Sequence, residues 1–424
     1  MKNPRPVSPA QSNPSRTRFR RIHAIPHFHF DLEWWKTEPG YARDVADIMD
    51  AAMDMLDAYP EFTFVLDQAT AIKPWWDARP EKREALRAHI RAGRVECVGG
   101  TWAAPDENIP TGEALIRNFL AGRAFFENEL GARVNTAWEI DEFGHPAQMP
   151  QIFSGCGFSQ FVFARGVPMN RHKDHPADFV WTAPDGSGIL THWLSAHYTG
   201  LVPLFSPLIN RYLFIRELRA RMALQAGQAQ SDNMFLPLGT DFQVPDTQWL
   251  DFISEWNGSE TAKMQLSLPD RYFRDLRAAA GDALPRIAGE FNPLLTGCYE
   301  SREKIKRGCR ATQHAILEAE KLSAICHASG WIPWPAKKFR IAWDNILKND
   351  FHDTICGTGT DAVYRDSLKR YDEAMELTGG IRDRALGAIA RRAPVTGKGC
   401  NVLVFNSLNH EREETVGTPL DTKT

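Results

Sequence analysis

Cysteine is scarce in this chain. Seven are scattered over 424 residues, at positions 97, 156, 298, 309, 326, 356 and 400, and no two form a C-x-x-C pair. An odd, unpatterned set argues against a disulfide framework and fits reduced thiols in a cytoplasm. An excess of one charge is missing as well. Fifty Lys and Arg against 53 Asp and Glu leave a net charge of −3, so electrostatics gives no reason to expect nucleic acid or a membrane as partner. No run is long and apolar enough to cross a bilayer. Residues 1–18 are rich in Pro, Ser, Asn and Arg and lack the apolar core of a secretory signal, so a disordered tail is expected there. Internal repeats are absent. Together these absences lead to the expectation of a soluble, cytoplasmic globular protein.

What the chain does have is apolar mass and alternation. With 43% hydrophobic residues it can bury substantial cores in two or three units. Thirteen Trp and 24 Phe offer faces for stacking on sugars, although core packing accounts for most of them. From Phe19 to about residue 285, short apolar runs alternate with helical stretches. Strands are expected at 22–26, 62–66, 95–100, 136–140, 161–164 and 234–238, with helices at 81–93 and 112–130. That alternation is α/β, a parallel sheet in a layer or a barrel. The candidate chemical residues sit at or just past the C-terminal ends of these strands, where such barrels place their sites. From about residue 286 the pattern turns helical, at 301–330, 339–349 and 361–392, and reads as a bundle. Residues 401–406 then read as a strand opening a new unit, too short by residue 424 to be a domain. The expected organisation is therefore 1–18, 19–285, 286–393 and 394–424.

Four segments carry chemistry. His27-Phe28-His29-Phe30-Asp31 follows the first strand. If the strand continues, His27, His29 and Asp31 share a face and suit a divalent transition metal, zinc before others. Asp141, between a strand and a glycine-containing loop, can be a metal ligand, a nucleophile or a general base, or equally the cap of a helix near Pro146. His352-Asp353, read alone, is a capping or surface pair as readily as a ligand. Asp241 puts another carboxylate at a strand end. Glycoside hydrolysis commonly uses two carboxyls, roughly 5 Å apart in the retaining mechanism, and Asp141 with Asp241 suit that pair if they share one rim.

Together these segments resemble glycoside hydrolase family 38, the α-mannosidases. His27-Phe28-His29-Phe30-Asp31-Leu32-Glu33-Trp34 is similar to the family's His-x-His-x-Asp-x-x-Trp. Gly99-Gly100-Thr101-Trp102 with Asp106 is similar to its Gly-Gly-x-Trp stretch, and Ile140-Asp141-Glu142-Phe143-Gly144-His145 to its nucleophile motif. Gly239-Thr240-Asp241-Phe242 resembles its acid/base motif, Gly297 to Arg302 its Gly-x-Tyr-x-Ser-Arg, and Phe351-His352-Asp353 its last metal-binding segment. Val402 to Asn406 resembles the start of its β-domain, so the likeness spans about residues 22–415.

The resemblance implies an irregular parallel (β/α)7-type barrel, a three-helix bundle and a truncated start of a β-sandwich domain. It implies one Zn²⁺ on His29, Asp31, Asp141 and His352, with His27 orienting the first ligand. Asp141 would also be the nucleophile and Asp241 the general acid and then base. Trp34, Arg165, Tyr299 and Asp353 would contact the sugar or the nucleophile, with ordinary packing or ion pairing as their alternative. The implied activity is retaining hydrolysis of terminal α-D-mannosides. Zinc would chelate the 2- and 3-hydroxyls and keep Asp141 ionised, whereas Asp241 needs a raised pKa. Glu33 and Trp35 stand where many members carry Gly and Leu and are expected to reshape the rim; Thr240 replaces a frequent Asp. Two other readings stay open: a carbohydrate-binding remnant without turnover, and a metal-dependent deacetylase or amidohydrolase. The oligomeric state is open too, a homo-oligomer included.

Overall fold

A computed structural model describes residues 18–199, 211–394, 401–415 and 417, so the expected N-terminal tail lies, but for Arg18, outside the described residues. The chain forms two compact units. One comprises the residues up to Lys306 with Leu347–Ser367, the other Arg307–Ile346 with the chain from Leu368 onward.

The first unit is mixed α/β. Its strands are β1 (Arg21–Pro26), β2 (Phe64–Leu66), β3 (Val95–Cys97), β4 (Thr136–Glu139), β5 (Gln160–Phe163), β6 (Asp178–Thr182), β7 (Gly188–Trp193), β8 (Asn233–Leu238), β9 (Lys263–Leu266) and β10 (Arg286–Ala288). Between them run α1 (Glu38–Ala58), α2 (Ala69–Ala78), α3 (Arg83–Arg91), α4 (Gly112–Phe125), α5 (Met149–Gly155), α6 (Arg211–Ala226), α7 (Gln248–Ser259) and α8 (Pro269–Ala280). The strands pair in three sheets, in the orders β8-β1-β9, β10-β6-β7-β5-β4 and β2-β3. All pairs are parallel except β6 with β7. No closed sheet forms among the described residues. Strands β2, β4, β5 and β8 are buried along their whole length, so their apolar residues stand at successive and not only alternate positions. Hairpin β6–β7 gives no such signal: its turn is a local Asp185–Ser187 arrangement, with Asp185 accepting from the Ser187 amide at 2.9 Å and hydroxyl at 2.8 Å.

What matters for the site is how the strands end. Past Pro26 and Leu238 the β1–β8 register continues through single bonds: His27 N donates to Leu238 O (3.2 Å), His29 N to Thr240 O (3.1 Å) and Phe242 N to His29 O (3.0 Å). His29 thus stands opposite Asp241. Gly239 permits this approach, since a Cβ there would lie 1.9 Å from His27 O. Helix α11 (His352–Cys356) enters from the other side. Pro105 bridges Phe351, His352 N donates to Ala104 O at 3.1 Å, and Phe351 packs with Leu32, Ala103 and Ala104.

The second unit is helical, with portions of α9 (Glu303–Ala328), α10 (Ala336–Asn349) and α12 (Asp361–Ala390). Leu322, Cys326, Ala385 and Ala388 form an apolar cluster, and Trp343 Nε1 donates to Glu320 at 2.7 Å. The strand expected at 401–406 is not formed: Val402, Leu403, Val404 and Phe405 are exposed and pair with no neighbour among the described residues. A β-like composition yields a strand only where a ladder partner exists.

Candidate active site

His29, Asp31, Asp141 and His352 converge, each offering one ligand atom, with all four atoms within 4.8 Å of one another. All four are buried. His29 Nε2 lies 3.3 Å from Asp31 Oδ1 and 3.6 Å from Asp141 Oδ2; His352 Nε2 lies 3.9 Å and 3.7 Å from the same oxygens. The two imidazoles face each other at 5.5 Å and 24°.

The chain sets the tautomer of His352. Its Nδ1 lies 3.2 Å from the Ala104 carbonyl and 3.5 Å from Glu142 Oε1, both acceptors, so Nδ1 carries the hydrogen and Nε2 turns to the cluster. His352 Nε2 and both ring nitrogens of His29 are buried without a hydrogen-bonding protein partner, although the carboxylates stand within ion-pair range. Bare imidazole nitrogens beside two carboxylates are what a divalent metal requires, and the residues fit one.

Electrostatics points the same way. Burial works against a charged His29, but Asp31 and then Asp141 and Asp241 hold it well above the usual range. His352 is likewise pushed up to about 9, burial being outweighed by Glu142, Asp353 and Asp141. The pocket draws in positive charge, which a bound cation would supply in place of protons. Burial alone would raise the Asp141 carboxyl, yet His29, His352 and Arg165 hold it below its ordinary value. Arg165 reaches Asp141 Oδ1 through both Nε and Nη2.

Asp241 is exposed and accepts from Tyr198 Oη at 2.9 Å. Tyr198 also faces His29, ring to ring at 5.3 Å, and the Arg165 guanidinium at 6.0 Å. Asp141 and Asp241 are therefore linked through Arg165 and Tyr198. Asp353 is buried, takes the Thr358 hydroxyl, and is pushed up to about 7 by burial. Trp34 is half-buried against Trp35 at 5.0 Å and against the core. Tyr299 donates to Phe143 O (3.1 Å) and accepts from Asn108 (2.9 Å), holding the loop after Asp141.

Residues 20–290 match the family described as glycosyl hydrolases family 38 N-terminal domain, and residues 293–389 the alpha mannosidase middle domain. The chain belongs to glycosyl hydrolase family 38. This family 38 chain is 27% identical over 401 residues to alpha-mannosidase 2C1 of Mus musculus, covering 94% of itself and 37% of that protein. To alpha-mannosidase G of Dictyostelium discoideum it is 26% identical over 363 residues, covering 84% and 32%. It thus spans about a third of the length of the curated relatives it matches. Its fold is like that of an alpha-mannosidase from Enterococcus faecalis V583, with a TM-score of 0.78 at 23% identity, over 88% of this chain and 43% of that one.

Two expectations need correction. His27 is not among the converging ligand atoms: its Nε2 bonds the Tyr198 carbonyl at 3.1 Å and its ring meets Trp138 edge-on. Glu33 does not shape a rim. It is fully buried and accepts from Thr354 Oγ1 at 2.7 Å, tying the first motif to α11. Tyr198, Glu142 and Gln68 were not singled out by sequence reasoning. Gln68 accepts from Ala104 N at 3.1 Å and donates to Phe30 O, so one side chain bridges two site segments. All three sit just past strand ends, and that placement was the signal available.

Proposed function

We propose that this chain carries the catalytic portion of a zinc-dependent, retaining α-mannosidase, its three sheets being arcs of an irregular (β/α)7-type barrel. The carrying observation is the buried two-His, two-Asp cluster in which Asp141 also meets Arg165, linked through Tyr198 to Asp241. His29, Asp31, Asp141 and His352 would hold the metal, which when bound supplies a positive charge for the vicinal hydroxyls of a mannoside. Arg165 and the imidazoles keep Asp141 ionised, as a nucleophile must be. Asp141 attacks the anomeric carbon while Asp241 gives its proton to the leaving oxygen. Asp241 then takes a proton from water, which displaces Asp141 and restores the starting configuration. Tyr198 holds Oδ1 of Asp241, leaving Oδ2 for proton transfer. Trp34 and Asp353 are assigned to the sugar, and Tyr299 to the loop carrying the nucleophile. Six free thiols among the described cysteines support a reducing compartment such as the cytoplasm. No described helix is long and apolar enough to cross a membrane.

The test is release of 4-nitrophenol from its α-mannoside by the 424-residue chain, with zinc, with chelator, and with Asp141→Ala. Zinc-dependent release that the mutant loses while keeping its circular dichroism supports the reading. Undiminished release by Asp141→Ala sinks it. A sugar-binding portion without turnover is the alternative outcome of the same assay. Calorimetric binding of mannose with no product from folded, zinc-loaded protein would select it.

A further inference from the structure

We propose that Cys298 and Cys356 form a redox-modifiable thiol pair, which a small-molecule disulfide oxidises to an intramolecular disulfide. The hydrolytic reading uses neither thiol, and the inference does not depend on that reading.

Two segments distant in sequence are pinned together here. Ser301 Oγ lies 2.6 Å from the Cys356 carbonyl and 3.1 Å from that of Cys298, and Lys306 Nζ donates to Cys356 O at 3.1 Å. Gly357, at φ +77°, brings the turn so close that a Cβ there would meet Ser301 Oγ at 2.9 Å. The two thiols lie within interaction range of each other across this junction. Their surroundings differ in the way an attacking and a resolving thiol require. Cys298 is half-buried, within reach of small molecules. Cys356 is fully buried, its Sγ 3.5 Å from Oδ2 of the buried Asp106. The neighbouring Cys356 thiol draws the Cys298 thiol down to about 7, the Lys306 ammonium adding to it against burial and Asp106. The Cys298 thiol, with burial, pushes Cys356 up. A thiolate near neutral pH is the better nucleophile, and a buried thiol beside a carboxylate has a base at hand.

The steps balance. The Cys298 thiolate attacks one sulfur of the small disulfide, forming a mixed disulfide and expelling one thiolate. Cys356 gives its proton to Asp106 and attacks the Cys298 sulfur, expelling the second thiolate. Two protein thiols are oxidised and one disulfide is reduced to two thiols. The product would tie the segment carrying Tyr299 to the helix that begins at His352.

The zinc-loaded 424-residue chain is equilibrated in buffers of reduced and oxidised glutathione, acid-quenched, alkylated, digested without reduction and analysed by mass spectrometry. The expected product is a peptide linking Cys298 to Cys356, lighter than its two parts by two hydrogens and increasing with oxidising poise. Buried Cys97, Cys309 and Cys326 are expected to stay free. Cys356→Ser is expected to accumulate glutathione on Cys298, and Cys298→Ser to leave Cys356 unmodified, both with wild-type circular dichroism. A wild-type chain that never yields the linked peptide, or that only retains glutathione on Cys298, overturns the proposal. So does reaction at Cys356 in Cys298→Ser.

Discussion

Asp141 shows how one side chain is divided between neighbours. Oδ1 goes to Arg165 and Oδ2 faces two imidazoles, so every contact favours its charge despite burial. His23 shows the opposite case. Buried in β1, it bonds Ser267 at 2.8 Å, and burial lowers its pKa from 6.5 to about 4 against the pull of Asp275. The folded state therefore holds His23 neutral. Its contribution to stability is full above pH 6.5, falls as pH drops below that, and is gone below about 4. Linkage makes this about 2 kcal/mol between pH 7 and 5. Urea unfolding at the two pH values should show that His23→Gln shrinks the difference by about that amount; an unchanged difference would show that His23 does not titrate as the fold implies. At this scale the ligand types were legible, because His and Asp beside a strand end are visible in a sequence. The tautomer of His352 was not, because Ala104 and Glu142 reach it across more than 200 positions of chain.

At the scale of elements, the site depends on two strand ends staying in register after their ladder stops. Gly239 sets that closeness, with no room for a methyl against the His27 carbonyl. Gly239→Ala should push β8 from β1, costing about 1–3 kcal/mol by overpacking. It should also lower turnover by shifting Asp241 away from His29. Thermal melts alongside 4-nitrophenyl mannoside kinetics would check both, and a variant with wild-type values of each would remove Gly239 from the account. Phe242, next to Asp241, sits at φ +52°, and its ring stacks on Tyr41 at 4.4 Å and 15°. Packing thus holds a backbone shape that phenylalanine rarely takes. Most of the expected strands and helices are present within a few residues, since buried parallel strands carry apolar residues at successive positions. Hairpin β6–β7 and helix α11 gave no periodic signal: one is antiparallel with a local turn, the other only five residues long.

For the whole molecule, metal is the main variable. Asp31 and Asp141 are buried carboxylates whose positive partners, without metal, are two imidazoles and, for Asp141, the Arg165 guanidinium. Zinc binding only the folded state should stabilise it by about 4 kcal/mol at a thousandfold excess over Kd. Differential scanning fluorimetry should show a zinc-dependent rise in Tm, reversed by chelator and absent in His352→Ala. An equal rise in that variant would place the metal elsewhere.

The sequence by itself determined the α/β class and the helical segments beyond residue 300, because each is written in a few neighbouring residues as an apolar run or a period, while the four ligand candidates came from the resemblance of its motifs to family 38. Only the tertiary structure decided that Tyr198 and Arg165 link Asp241 with Asp141, that Glu33 is buried under Thr354, and that His27 bonds the Tyr198 carbonyl. Those outcomes rest on contacts between residues far apart in the chain, whose partners are chosen by packing and hydrogen-bond geometry, and no local pattern encodes them.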